Sequence, residues 1–155
     1  MSLDVTSPVT GSAQTGFTSP TYTLVTDTAP SPNGKQSAVT ALGGTQAGVI
    51  VHSVSSPFTT ARFRPAQLKV LPSANPVTGV IKNIPTNVYK VNTRKGVVPG
   101  LNIPSVPMTI STNLPIPAGA DTYDAANIRA AISLHIGVLT QLSAALGDTC
   151  VSGII

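Results

Sequence analysis

Ser105-Val-Pro-Met-Thr-Ile-Ser-Thr-Asn-Leu-Pro-Ile-Pro117 and the proline-free run from Asp121 to Leu146 that follows it decide the fold. In the first part Val106, Met108 and Ile110 alternate with Thr109, Ser111 and Asn113. A period of two belongs to a strand with one apolar and one polar face. The pattern predicts a strand over 105–114, with Pro115 and Pro117 ending the sheet. In the second part Ile128, Ile132, Ile136, Leu139, Leu142 and Leu146 recur at spacings of four, four, three, three and four. That is one apolar stripe on an amphipathic helix of about seven turns. Asp121 is suited to N-cap it, and Asp121 and Asp124 both suit the positive end of its dipole. Gly147 reads as the stop, with Asp148 capping a short final turn. Strands followed by a helix indicate an α+β domain.

Working outward, residues 1–19 read as a loose arm or an extra edge strand, 20–117 as a β-hairpin and sheet, and 121–155 as C-terminal helices, all within one domain. Strands are predicted over Thr21–Thr28 and Lys35–Leu42, joined by the turn cluster Pro30-Ser31-Pro32-Asn33-Gly34. Further strands are predicted over Gly48–Ser55, Thr59–Leu71, Thr78–Ile84 and Asn87–Lys95. The helix stripe needs an apolar sheet face, its own or a partner's. The core sets are Leu68 with Val70, Tyr89 with Val91, and Val106 with Met108 and Ile110. The opposite, free face then carries Gln67 and Lys69, then Lys90, Asn92 and Arg94, then Thr109, Ser111 and Asn113.

Charge is sparse and segregated. Only 9% of the 155 residues are charged, and 20 Thr and 15 Ser supply the polar surface instead. Such a surface suits burial against other copies of the chain, or a small neutral Thr-rich β domain. From Thr28 to Ala120 no acid occurs, yet eight of the nine basic residues lie there. The five acids are Asp4, Asp27, Asp121, Asp124 and Asp148; Glu is absent. The net charge of +4 and pI near 9.6 fit a polyanion partner, nucleic acid above all. On the polar face Lys and Arg would neutralise phosphates, while Thr, Ser and Asn would hydrogen-bond phosphates or base edges. The bland alternative is a solvated face. Tyr89 falls on the core side, so base stacking should be weak. Arg62 and Arg64 share one side of a strand, ready for phosphate or for Asp121 or Asp124 of a neighbouring chain.

Catalysis and metal chemistry find few residues. With one cysteine, Cys150, two distant histidines and no Glu, no zinc pattern exists, and no cofactor or small-molecule substrate is expected. His135 falls in the helix stripe and reads as a core or dimer-interface histidine. Asp121 and Asp124 read as caps rather than an acid/base pair. No Gly-x-Ser-x-Gly elbow or phosphate loop occurs, so an enzyme is not expected. Arg129, His135 and Gln141 interrupt the longest apolar stretch, which argues against a membrane span. The first six residues lack the basic and apolar regions of a signal peptide.

The stretch from Val106 to Pro117, then Ala118 to His135, and the ending Leu146-Gly-Asp-Thr-Cys-Val-Ser-Gly-Ile-Ile155 resemble the coat proteins of small positive-strand RNA bacteriophages. Gly34-Lys35-Gln36, opening the second strand of the hairpin, fits the same family. The resemblance implies an N-terminal β-hairpin, an antiparallel sheet of about five strands and C-terminal helices. It implies a homodimer with one continuous sheet, each helix packed across the partner through Ile128, Ile132, His135, Ile136 and Leu139. It further implies an icosahedral shell whose inner sheet face holds the single-stranded RNA genome and, in some members, a hairpin operator. Carried over, the inward residues are Gln67, Lys69, Lys90, Asn92, Arg94, Thr109 and Ser111, with Arg62, Arg64, Lys82 and Asn113 as further RNA or inter-subunit residues. The protein would be made in the bacterial host cytoplasm and reside in the virion. About twenty extra N-terminal residues and a Pro-rich stretch between Pro72 and Pro104 depart from the family pattern. The rival reading is an adhesin or pilin-like β module binding protein or glycan, against which the absent signal peptide and the basic window both count.

Overall fold

A computed structural model describes residues 3–155. Its single sheet has six antiparallel strands in sequence order: β1 (Val9–Thr10), β2 (Thr18–Asp27), β3 (Gly34–Thr45), β4 (Phe58–Phe63), β5 (Thr86–Val97) and β6 (Val106–Pro117). Three helices follow: α1 (Ala120–Tyr123), α2 (Ala125–Gln141) and α3 (Ser143–Ser152). The predicted hairpin is β2–β3, with Val25 opposite Ala38 and Asp27 opposite Gln36. β1 pairs with the outer edge of β2, Val9 opposite Tyr22. The loop after β1 reaches α3, where Gln14 Nε2 donates to the Ser143 carbonyl at 2.8 Å and Thr15 Oγ1 to the Asp148 carboxylate at 2.8 Å.

Two predicted strands are absent and a third is cut short, each for a local reason. Gly48–Ser55 is a turn and loop, because Gly48 sits at φ 81 and the serines take over the backbone bonds. Ser56 N–H donates to both Ser53 O and Ser53 Oγ. The strand from Thr59 stops at Phe63, and two residues on Pro65 has no N–H with which to continue the ladder. Gln67, Leu68, Lys69 and Val70 are therefore loop residues without a strand parity. Thr78–Ile84 is also loop: Asn75 Oδ1 accepts from the Val77 and Thr78 amides, and Gly79 turns at φ 68. Lys82 lies in that loop.

Conversely, Pro115 and Pro117 do not end the sheet, for β6 runs through both. Gly96 N–H donates to Pro57 O on the β4 side of β5, and Ala118 N–H, just past β6, donates to Pro85 O on the β5 side. Even-numbered β6 residues therefore bond to β5, and odd-numbered ones, including Pro107, Pro115 and Pro117, turn their backbone outward. Proline is tolerated on such an edge.

The single long helix is three. Gly119, at φ 90, starts α1, so Asp121 lies in the first turn and is not its N-cap. Asp124 starts α2 without a side-chain capping bond; its carboxylate instead accepts from Asn127 Nδ2 at 2.8 Å. α2 and α3 meet at 59° around Leu142. Thr140 Oγ1 donates back to Ile136 O at 2.9 Å, a bond that bends helices, just before this break. Gly147 lies inside α3, not at its end, and the stop is Gly153 at φ 74. No single helix is long and apolar enough to cross a membrane, though the bent α2–α3 pair passes by length and composition.

The chain has little core of its own. Among the described residues the buried hydrophobic ones are Ala38, Val39, Ala61 and Ala118, and no residue of any helix is buried. The helix stripe is only partly covered within the chain: Ile128 and Ile132 are half-buried, whereas Ile136 is 57% exposed and Leu146 48%.

Candidate nucleic-acid interface

Antiparallel register assigns the faces, because directly opposed residues point the same way. Lys90 opposes Asn113, Asn92 opposes Ser111 and Arg94 opposes Thr109. On the other side of β5 the same residues oppose Phe63, Ala61 and Thr59. Lys90, Asn92, Arg94, Thr109, Ser111 and Asn113 thus form one contiguous patch on one sheet face, across β5 and β6. Lys90, Arg94, Thr109, Ser111 and Asn113 are exposed. Asn92 is half-buried and its Oδ1 has no hydrogen-bond partner. The described residues show one salt bridge, Lys35–Asp4, on the opposite face, so neither Lys90 nor Arg94 is neutralised by a carboxylate.

The patch contains an aromatic ring that sequence reasoning missed. Phe63 opposes Lys90 on one side and Gly34 on the other. A Cβ on Gly34 would lie 2.5 Å from the ring, so the ring covers this glycine. Along the chain Phe63 stands between two arginines with no apolar alternation around it; strand pairing is what sets its ring on the face of Lys90. Asn87 was missed as well. Its carboxamide bonds both Lys69 N and Lys69 O at 2.9 Å, fastening the 64–71 loop beside β5.

The remaining basic residues are distributed elsewhere. Arg62 lies on the opposite, apolar face, 7% exposed. Its Nη2 donates to Ser37 Oγ at 2.9 Å, while Nε and Nη1 have no partner. Burial lowers its pKa, and the nearby Asp4 partly offsets this. Lys95, also on that face, donates to Ile50 O at 3.0 Å and sits 4.9 Å from the Phe58 ring centre; burial lowers its pKa. Arg64, Lys69 and Lys82 are in loops, with Gln67. Sequence segregation of charge therefore becomes a basic face through two residues, Lys90 and Arg94, rather than eight.

The opposite face is apolar. Tyr22, Leu24, Val39, Phe58 and Val91 line an open trough of about 610 Å³. Tyr22 meets Phe58 edge-on at 5.7 Å. The first turns of α2 stand on this side: Ile128 and Arg129 share a cleft with Tyr89 and Ile116. Val106, Met108 and Ile110 belong to this face and are 50%, 45% and 58% exposed. Among the described residues no group of three His, Cys, Asp or Glu is placed to hold a metal.

The arrangement sets two cations that pair with no carboxylate among the described residues beside hydroxyls, amides and an aromatic ring, a set of groups suited to an extended polyanion. No family model and no curated protein matches the chain. Among solved structures, it is 56% identical to the chain of the virus-like particle of bacteriophage ESE020, over 99% of this chain and 100% of that one, with a TM-score of 0.96. The virus-like particle of Beihai levi-like virus 32 is 16% identical over 92% of this chain and 90% of the other, at a TM-score of 0.45.

Proposed function

This chain belongs to the coat proteins of levivirus-like bacteriophages and is a structural capsid subunit, not an enzyme; from that premise we propose that it dimerises, closes into an icosahedral shell and packages single-stranded RNA on its basic sheet face. The observation that carries the RNA reading is the patch itself. Lys90 and Arg94 stand unneutralised among Thr109, Ser111, Asn113 and Asn92, with the Phe63 ring beside them. Phosphates take the cations, and unpaired bases take the ring and the amides. The same face is the place where a hairpin operator would be read.

Dimerisation is supported by what the single chain leaves uncovered. A compact monomer of 15.7 kDa exposes about 7,300 Å², whereas this chain exposes 10919 Å², an excess of roughly 3,600 Å². The excess includes apolar surface on the trough face and along α2, where Ile136 and Leu139 are exposed beside His135 and Ile128 and Ile132 are only half-covered. A second copy lays its helices over the trough and its β6 against this β6, making one sheet of two. Burying that area at about 25 cal/mol per Å² is the driving force of assembly. Arg62 lies within the surface so covered, which favours its inter-subunit reading over an RNA contact.

The test is expression of the chain alone, followed by electron microscopy and the 260/280 nm absorbance ratio. Closed particles with a nucleic-acid ratio are expected. A monomer, or empty shells with a protein ratio, would overturn assembly and packaging respectively.

A further inference from the structure

We propose that two copies join β6 to β6 in a single register, with the two-fold axis passing through Ser111. This rests on the edge-to-edge dimer proposed above and specifies its geometry. Backbone bonding leaves only odd-numbered β6 residues facing the open edge. Of these, Pro107, Pro115 and Pro117 have no N–H, so the edge offers three donors: Thr109, Ser111 and Asn113. A buried backbone carbonyl left without a donor is costly. A proline ring set opposite a carbonyl cannot donate to it and crowds it, so the joint that keeps every proline outside its bonded zone is the one that matches the three donors with the three carbonyls of the same residues.

Only one antiparallel register does so. With the axis at Ser111, Ser111 opposes the partner's Ser111, and Thr109 opposes the partner's Asn113. All six N–H groups then find a non-proline carbonyl, and Pro107 opposes the partner's Pro115 outside the bonded zone. Sliding one chain by two residues in either direction places a proline ring against the carbonyl of Asn113 or Thr109 and leaves it unpaired. The prolines thus act as stops at both ends of a short, self-complementary ladder.

The register also builds the basic face. Lys90, Asn113, the partner's Thr109 and the partner's Arg94 fall in one row across the joint. Asn92, Ser111, the partner's Ser111 and the partner's Asn92 form the central row. Four cations then frame a hydroxyl and amide centre that neither chain possesses alone. On the apolar side Ile110 meets the partner's Thr112, and Met108 the partner's Leu114.

Cysteine cross-linking tests the register. In a Cys150→Ser background, which removes the one free thiol, single cysteines are placed at Thr109, Ile110, Ser111, Thr112 and Asn113 and the assembled protein is oxidised. The two Ser111 Cα atoms would be about 5.5 Å apart, within disulfide reach. Those of the 110 and 112 positions would be about 8 Å apart and those of 109 and 113 about 14 Å. Ser111→Cys is expected to convert the chain to a covalent dimer, lost on reduction. Thr109→Cys and Asn113→Cys should cross-link only when the two variants are mixed and co-assembled. A homotypic maximum at any other position overturns the register while leaving the β6 joint standing. Absence of covalent dimer at every position, mixed or single, overturns the joint itself.

Discussion

Replacing Lys90 and Arg94 together by alanine measures how much of the RNA affinity comes from the sheet face. Both side chains are exposed and share the face with Phe63, Thr109 and Asn113, and neither is in an ion pair, so their removal costs the fold little. The substitution deletes two charges per chain and four per dimer. Each phosphate neutralised on a single strand contributes about −0.7 to the slope of log affinity against log salt, so the slope should flatten by about 2.8 per dimer. Between 50 and 200 mM salt, a fourfold change, native protein should lose roughly 50-fold more affinity than the variant. The assay is fluorescence anisotropy of purified dimers with a short labelled RNA at several salt concentrations. Particles of the variant should also hold less RNA, as the 260/280 nm ratio reports. An unchanged slope together with unchanged RNA content would refute the assigned face.

Other outcomes follow from the same geometry. Ile136→Asp should abolish soluble dimer in size-exclusion chromatography: the side chain is 57% exposed in one chain, so a loss of about 3–5 kcal/mol appears only if a partner buries it, and a normally assembling variant would show that this part of α2 stays in water. Phe63→Leu keeps cover over Gly34 but removes the base-stacking ring; affinity for short single-stranded RNA should fall roughly 5- to 150-fold with the salt slope unchanged, and equal affinity would remove Phe63 from the site. The Asp27 carboxylate is held below the usual carboxylate range by the Gln36 side-chain bond and then by the Thr28 N–H. A depressed folded-state pKa gives stability that is present above the unfolded value and lost as pH falls through the folded one. Amide-exchange protection at the turn end of the β2–β3 hairpin, where Asp27 pairs with Gln36, should therefore drop on acidification in the native chain, and Asp27→Asn should remove that dependence; an identical acid profile in the two would show that these bonds do not couple to the hairpin.

Local pattern was legible where the chain alternates over many residues. The parity that sets Lys90, Asn92 and Arg94 opposite Tyr89 and Val91, and Thr109, Ser111 and Asn113 opposite Val106, Met108 and Ile110, is the parity found. It failed for Gln67 and Lys69, whose alternation is real but follows Pro65, so no strand carries it. It failed for residues 78–84, where Asn75 and Gly79 close a turn that bonds within itself. The helix periodicity was correct over α2, and its boundaries were wrong because Gly119, Asp124 and Leu142 end turns through backbone geometry that apolar spacing does not encode.

The amino-acid order alone determined an α+β chain of strands followed by helices, the two-sidedness of β5 and β6, the absence of a catalytic constellation, and the likeness to phage coat proteins. Each of these depends on neighbours within a few residues or on overall composition. Tertiary structure decided that Phe63 joins the basic face, that Arg62 and Lys95 leave it, that three prolines line one open edge, and that the helix stripe from Ile136 onward is left uncovered by its own sheet. These depend on which strands pair and in what register, a relation between residues far apart in the chain, and periodicity along a single strand holds no record of it.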